Sequence, residues 1–195
     1  MCACDQTPAL ASFSRVFITD RLSCVRPLPQ QVARLASTGA IDTVMLRERD
    51  LDAAAYERLG IEVAAICARW DIMLVAHAQV EAARRIGCAA VHLPLPLLRA
   101  QGRPEGFSWV GTGIHELDEV EEAEALGADM LVASPVFAPS CKPASMAHGL
   151  PFLRAAVLRA NVPVFALGGV IDKNETLIRE SGAAGACRMA DYARR

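Results

Sequence analysis

The residues best suited to chemistry lie directly after two apolar stretches in the second half of the chain. The sequence ADMLVASPVFAPSCKP (128–143) is an apolar strand followed by a long loop that carries one basic residue, Lys142, and PVFALGGV (163–170) runs straight into Gly168 and Gly169. Backbone N–H groups in a glycine turn can approach an anion because no Cβ intervenes. A cation after one strand and a bare glycine turn after another predict a site for a small phosphorylated ligand.

These residues are placed by a unit that recurs along the chain, in which a helix ends in glycine and a short apolar strand follows. It occurs as TGAIDTVML (38–46), IGCAAVHL (86–93), LGADMLVA (126–133) and SGAAGACRM (181–189), and four more strands are RVFITD (15–20), DIMLVAH (71–77), FSWVGTG (107–113) and VPVFAL (162–167). Strands that are apolar on both faces are typical of a parallel sheet covered by helices. Helices are predicted over 52–69, 117–126, 150–160 and 172–180, the last with Asp172 as N-cap.

Eight β/α units without a Gly-x-Gly-x-x-Gly fingerprint predict an α/β fold of the (β/α)8 TIM barrel type. Only residues 190–195 follow the eighth strand, so we expect a truncated final helix that leaves part of the barrel wall exposed or covered by a second copy of the chain. Ligand-handling residues of such barrels lie at the carboxyl ends of the strands. The candidates there are Asp20, Arg47, Glu48, Arg49, His77, His92, Thr112, His115, Lys142, Gly168 and Gly169.

Composition and charge exclude several classes of protein. The 195 residues suffice for one large domain, which we place at 13–195 after a disordered tail at 1–12. A net charge of −2 argues against nucleic-acid binding. No apolar run is long enough to cross a bilayer, and the first ten residues lack the basic and apolar segments of a signal peptide. We therefore expect a cytoplasmic protein without a membrane partner.

The cysteines fit a reducing compartment. There are seven, an odd number, and most lie within apolar patterns, so reduced thiols are favoured over a disulfide framework. The Cys2-x-Cys4 pair has no second Cys/His pair with zinc-site spacing, and we expect no metal there.

The apolar and polar segments, taken in order, resemble the thiamine phosphate synthase/TenI family of (β/α)8 barrels. The similarity covers nearly the whole chain and rests on VFITD, MLRERDLD, GCAAVHL, GTGIHELDEVEEAEALGAD, SPVFAPSCKP and PVFALGGV. Family members bind phosphate through an L-R-E-K-like motif after strand two, the lysine of a P-T-x-T-K loop, the glycines after strand seven and the backbone after strand eight. The corresponding residues here are Arg47, Arg49, Lys142, Gly168, Gly169, Met189 and Ala190.

Departures from the synthase pattern concern its magnesium site. The synthases carry Asn-Asp where this chain has His77 and Ala78, and a second magnesium-binding Asp falls within what is here PLPLL (94–98). The serine of the family's G-V-S-x-H segment is Gly113, and the two threonines of its P-T-x-T-K loop are Pro139 and Cys141. The resemblance is therefore closer to the TenI branch, whose members lack these carboxylates and include a thiazole phosphate tautomerase that needs no metal. The catalytic histidine of that tautomerase corresponds to Pro135.

Several of these residues have both a chemical and a structural interpretation. His77 is a candidate general base, because imidazole titrates near neutral pH, or it fills space and bonds to the backbone. Arg47 binds phosphate or forms a salt bridge with Glu48 or Asp20. Cys141 is either a nucleophile activated by Lys142 or a small replacement for threonine. His92 and His115 match histidines found across the family and are interpreted as structural.

Three hypotheses of function remain open. In the first, the protein binds a thiazole phosphate or a similar phosphorylated heterocycle and acts as a metal-independent tautomerase with His77 as base, with no cofactor. In the second, it is a divergent thiamine phosphate synthase that joins a pyrimidine pyrophosphate to thiazole phosphate and uses Mg²⁺. In the third, it is a catalytically inactive ligand-binding or regulatory protein.

Overall fold

The chain forms a closed barrel of eight parallel strands, as the repeated unit predicts. The structure is a computed structural model that describes residues 13–138 and 147–195. Within these ranges every strand pairs in parallel with its neighbours in chain order. The last strand, β8 (Gly185–Arg188), closes onto the first, β1 (Ser14–Ile18), with Val16 opposite both Cys187 of β8 and Thr43 of β2 (Thr43–Leu46). The predicted tail at 1–12 lies outside the described residues. None of the helices in the described ranges is long and apolar enough to cross a membrane.

The elements follow one another as strand and helix. Their bounds are β1 Ser14–Ile18, α1 Leu28–Ser37, β2 Thr43–Leu46, α2 Ala53–Arg69, β3 Met73–His77, α3 Val80–Ile86, β4 Ala90–Leu93, α4 Leu95–Gln101, β5 Trp109–Ile114, α5 Glu119–Ala125, β6 Met130–Ala133, α6 Gly149–Arg159, β7 Val164–Leu167, α7 Asp172–Glu180, β8 Gly185–Arg188 and α8 Ala190–Ala193, with a 3-10 turn at Arg21–Ser23 between β1 and α1.

The helix ends show why the repeated unit predicts the fold. Gly87 caps α3 with φ of 82°, a left-handed conformation that costs glycine little. The longest helix, α2, begins where Asp52 accepts a hydrogen bond from the Ala55 N–H at 2.7 Å. The prediction that Asp172 caps α7 is wrong. Asp172 is the first residue of the helix, Ile171 is its N-cap, and the Asn174 side chain accepts from the Ile171 N–H at 2.9 Å.

Alternation along the strands divides the core into two shells. Val16, Ile18, Met45, Val132 and Phe165 fill the barrel interior. The intervening residues point outward and pack beneath the helices in two larger clusters, as period-two geometry requires. The carboxyl ends of all eight strands therefore open at one mouth.

The final helix is a four-residue stub, as predicted, but it does not leave the barrel wall bare. Tyr192 of α8 is 1 % exposed and lies edge-on to Phe17 of β1, while its hydroxyl donates to the Ala40 carbonyl at 2.9 Å. The outward residues Phe17 and Ala186 are fully buried. An aromatic side chain of α8 thus packs on the part of the wall that was expected to be exposed.

Candidate functional site

Two neighbouring cavities open at the mouth of the barrel. One, of about 570 Å³, lies over the ends of β7 and β8 and is bordered by Gly168, Gly169 and Met189. The other, of about 390 Å³, lies over the ends of β2 to β5 and is bordered by Arg47, His77, His92 and His115. Ser134, Leu167 and Met189 border both. We call them the β7–β8 cavity and the β2–β5 cavity.

The turn after β7 gives the β7–β8 cavity its floor. Gly168 and Gly169 have φ of 102° and 57°, and a Cβ on Gly168 would stand 2.8 Å from the Pro135 Cα. In the described part of the chain, no protein group accepts from the backbone N–H of Gly168, Gly169, Val170 or Met189. Unpaired N–H groups on consecutive residues of a tight turn are suited to binding an anion.

The loop after β6 is fixed to this turn by its backbone. The N–H groups of Val136 and Phe137 donate to the carbonyls of Leu167 and Gly168 at 2.8 and 3.0 Å. On the far side of the segment 139–146, the N–H groups of His148 and Gly149 donate back to Pro135 and Val136 at 2.9 and 3.0 Å. Predicted residues Lys142 and Cys141 belong to that segment and lie outside the described residues.

A closed ring of four charges lies at the β7–β8 cavity, which Arg188, Asp191 and Arg195 border, and sequence reasoning missed it. Arg188 bonds to Asp172 at 2.5 Å and to Asp191 at 3.2 Å, and Arg195 bonds to the same two carboxylates at 2.7 and 2.6 Å. These arginines lower the pKa of Asp172 to about 2, chiefly through the hydrogen bond from Arg188. The only sequence signal was an arginine at the end of an otherwise apolar strand.

Glu48 anchors the end of β2 and is not available to a ligand. This carboxylate is buried and accepts from the Thr19 hydroxyl at 2.6 Å and from the Arg21 N–H at 3.1 Å. Thr19 in turn accepts from the Arg47 N–H at 2.9 Å. Burial raises the pKa of Glu48, and the hydrogen bonds from Thr19 and Arg21 act against that rise.

Arg47 is held by its backbone, while its side chain borders the β2–β5 cavity. Within the described ranges the ion pair of Glu48 is with Arg21, at 3.5 Å, and Arg47 has no carboxylate partner within 4.0 Å. The salt-bridge interpretation of Arg47 is therefore wrong for Glu48 and Asp20. Burial, and then Arg49, lowers the pKa of the Arg47 guanidinium, which nevertheless stays charged. Arg49 is exposed beside the cavity rather than bordering it.

His77 and His92 form a stacked pair on adjacent strands, with ring centroids 5.3 Å apart and planes inclined by 14°. His92 is 6 % exposed, and neither of its ring nitrogens has a partner among the described residues. Burial, followed by the nearby Arg47, lowers the pKa of His77 to about 4. Burial, followed by His77, lowers that of His92 to about 3. Both rings are therefore neutral at pH 7.

His115 lies beside Ser134, one of the three residues that border both cavities. Its Nδ1 is 2.8 Å from the Ser134 carbonyl oxygen. A carbonyl oxygen only accepts, so Nδ1 carries the proton of the neutral ring and Nε2 is left as an acceptor. The backbone N–H of His115 donates to the Glu119 carboxylate at 2.6 Å, so that carboxylate is already hydrogen-bonded within the protein. Among the other candidates, the buried Thr112 hydroxyl donates to the Leu93 carbonyl, and Asp20 accepts from Ser23, so both are structural.

The magnesium site implied by the family resemblance does not fit the residues at this mouth. The strand ends in question carry His77, Ala78 and Pro94, none of which is a carboxylate, whereas Mg²⁺ prefers oxygen ligands. The nearby carboxylates of Glu48 and Glu119 are engaged by protein donors. Across residues 13–138 and 147–195, no group of three or more His, Cys, Asp or Glu residues has the geometry to hold a metal ion.

Comparisons with known proteins identify the family and the fold. The family profile described as "Thiamine monophosphate synthase" matches residues 15–191. A thiamine-phosphate synthase of Syntrophomonas wolfei is 31 % identical over 183 residues, covering 90 % of this chain and 86 % of the relative. A putative thiamine-phosphate synthase 2 of Aquifex aeolicus is 29 % identical, covering 86 % and 91 %. A solved thiamine phosphate pyrophosphorylase of Pyrococcus furiosus has the same fold, with a TM-score of 0.80 and 24 % identity over 93 % of this chain and 90 % of that one.

Proposed function

Because the chain belongs to the thiamine monophosphate synthase family, we propose that it binds a thiazole phosphate in the β7–β8 cavity. The N–H groups of Gly168, Gly169, Val170 and Met189, for which residues 13–138 and 147–195 offer no acceptor, support this placement of the phosphate. Ala190, at the start of α8, also borders the cavity, in keeping with the interpretation of the Met189–Ala190 turn as phosphate-binding. Lys142 is proposed as a further phosphate ligand on the ground of its sequence motif alone.

We further propose that the chemical step is a metal-independent proton transfer, a tautomerisation of the thiazole phosphate, as in the TenI branch. The observation that carries this proposal is the chemistry of the mouth, which offers neutral imidazoles where a magnesium site needs carboxylates. A proton transfer requires a general base and an anchored substrate, and no ion to neutralise a departing pyrophosphate.

Two imidazoles compete for the role of the base. His77 is neutral at pH 7, but its lowered pKa of about 4 makes it a weak proton acceptor. His115 has its Nδ1 fixed on the Ser134 carbonyl, so that Nε2 is free to accept. Ser134 borders both cavities, which brings His115 to the boundary of the proposed thiazole site. We therefore favour His115 as the base and retain His77 as the alternative.

Proton NMR of the protein with the carboxylated thiazole phosphate, in the presence of a chelator, tests the proposal. We expect conversion to the aromatic tautomer by the wild type, a loss of about 100-fold or more in rate for His115→Ala, and a smaller loss for His77→Ala, since a positioned general base contributes roughly 10²–10⁴-fold. The opposite order of the two variants would assign the base to His77. Ligand binding without conversion would identify a binding protein and reject the tautomerase.

The second candidate is a thiamine phosphate synthase. The names of the relatives favour it, and so do the two adjoining cavities, because a synthase must hold a pyrimidine pyrophosphate beside a thiazole phosphate. In this interpretation Arg47 and Arg49 bind the pyrophosphate. The matched assay supplies both substrates with and without Mg²⁺. Magnesium-dependent formation of thiamine phosphate, without tautomerisation, would establish this function in place of the first.

A further inference from the structure

We infer that Arg188 is a positioning residue that holds the two phosphate-binding turns of the β7–β8 cavity at a fixed separation. This inference rests on the proposed phosphate site. Arg188 is the last residue of β8 and borders the β7–β8 cavity, but its side chain has no exposed surface and its hydrogen bonds all go to carboxylates of the protein. Its influence on binding must therefore pass through the residues to which it bonds.

Those residues belong to the two turns. Asp172 opens α7, directly after the Gly168–Ile171 turn, and Asp191 lies in α8, directly after Met189 and Ala190. One nitrogen of Arg188, Nη1, donates to both carboxylates, at 2.5 and 3.2 Å. The other, Nη2, donates to Glu175, one turn further along α7. A single guanidinium thus links α7, which follows the first turn, to α8, which follows the second.

The choice of arginine at this position calls for an explanation, because its outward-facing neighbours are apolar. Phe17 and Ala186 fill the corresponding space on β1 and β8 without charge. Burying an ion pair contributes little net stability after its desolvation cost, but the planar, multidentate guanidinium fixes the geometry of its partners. The Nε of Arg188 has no partner in the described part of the chain, so the residue is engaged only by the two nitrogens that reach α7 and α8.

A fixed separation matters because the other anchors of α8 join it to the β1 side of the barrel rather than to α7: Tyr192 packs on Phe17, and the Val25 N–H donates to the Ala193 carbonyl at 3.1 Å. The helix is four residues long and has no side-chain cap. An anion held between two backbone turns binds more tightly if the turns are already in place, since the ligand does not then have to order them. Arg195 bridges the same two aspartates from the more exposed side, and it completes the ring.

Titration calorimetry with inorganic phosphate tests this role in wild type, Arg188→Met, Arg188→Lys and Asp191→Asn. We expect Arg188→Met to bind phosphate about tenfold more weakly or worse, since ordering one backbone residue costs as much free energy as a tenfold change in Kd. Arg188→Lys should recover part of the loss. The matched control is Arg15→Met, because Arg15 bonds to Glu175 at 3.3 Å without touching Asp172 or Asp191, and it should keep wild-type affinity.

The outcomes separate this inference from the function on which it rests. If the wild type does not bind phosphate, both the phosphate site and the positioning role are rejected. If the wild type binds and Arg188→Met binds equally well, only the positioning role fails. Equal losses in Arg188→Met and Arg15→Met would also reject it, as an effect of general destabilisation. Should Arg188→Met not fold, Asp191→Asn must show the loss, and in its ligand-free spectrum the amide signals of Gly168 and Gly169 must shift.

Discussion

Individual residues at the ends of β3 and β4 give the mouth of this barrel its chemistry. His77 and His92 stack as two neutral rings, and the next residue along, Ala78, carries a φ of 62° while its N–H donates to the His92 carbonyl at 2.9 Å. Left-handed backbone costs an alanine roughly 1–2 kcal/mol relative to its usual conformations, whereas glycine, asparagine and aspartate tolerate it. The backbone at this position is therefore better suited to glycine, asparagine or aspartate than to alanine.

Replacing Ala78 by glycine should stabilise the protein. Relief of the left-handed strain exceeds the extra entropy of the unfolded chain, so we expect the free energy of unfolding to rise by about 0.5 kcal/mol. The matched control is Ala65→Gly on the exposed face of α2, where the same change should lower that free energy by about 1 kcal/mol. Urea denaturation of both variants measures the two signs. Equal losses would show that Ala78 is not strained.

At the scale of elements, the turn after β7 requires glycine for two reasons: its backbone has positive φ, and the loop after β6 packs directly against it. A Cβ on Gly169 would lie 2.7 Å from the Ala138 carbonyl oxygen and 2.8 Å from the Phe137 Cβ. The loop after β6 is hydrogen-bonded to this turn and cannot retreat without breaking those bonds. The turn and the loop therefore form one unit.

Gly169→Ala should accordingly displace the loop, destabilise the protein by about 2 kcal/mol and weaken phosphate binding. Gly87→Ala serves as the control, because Gly87 also has a positive φ, of 82°, but has open space where its Cβ would stand. We expect that variant to lose only the strain, about 1 kcal/mol, and to bind phosphate normally. Thermal unfolding and phosphate titration of the pair distinguish the clash from the strain. Similar results for both would contradict the close approach.

Sequence predicted the elements well, because the signals that define them are local. A helix-ending glycine followed by an apolar strand identified four strands, and apolar runs identified the other four, which together predicted the mouth that carries Arg47, His77 and Gly168. The sequence did not predict the charge ring, because Arg188 contacts Asp172 and Asp191 only when β8 and the two helices are packed in the folded barrel. The same holds for Tyr192, whose packing on Phe17 depends on barrel closure. Local pattern specifies elements, whereas contacts between distant elements need the assembled fold.

At the scale of the whole molecule, the buried histidine pair makes stability depend on pH. The folded-state pKa values of His77 and His92, about 4 and about 3, lie below the unfolded value near 6.5. The unfolded chain therefore binds more protons between these values, and stability rises with pH across that window. The charge ring affects stability at lower pH. The pKa of Asp172 is lowered to about 2, so the contribution of this carboxylate to stability is lost only below about pH 4.

We expect the free energy of unfolding to fall by on the order of 2 kcal/mol between pH 7.5 and pH 5. Urea midpoints at the two values measure it. The double variant His77→Phe, His92→Phe keeps two stacked rings without a titratable nitrogen and should lose most of the dependence. Equal or greater stability of the wild type at pH 5 would contradict the lowered pKa values.

The backbone hydrogen bonds at the two ends of the β6–α6 connection determine which sequence changes this barrel can accept there. The chain enters segment 139–146 from Pro135–Phe137, which bond to β7, and leaves it through His148 and Gly149, which bond back to Pro135 and Val136. The described residues on either side of the segment are thus joined to each other and to the barrel by backbone hydrogen bonds. Because these bonds involve only backbone groups of the flanking residues, we expect substitutions and insertions between the flanks to leave the eight strands in place, so that a library at this position can be selected for new ligand preferences.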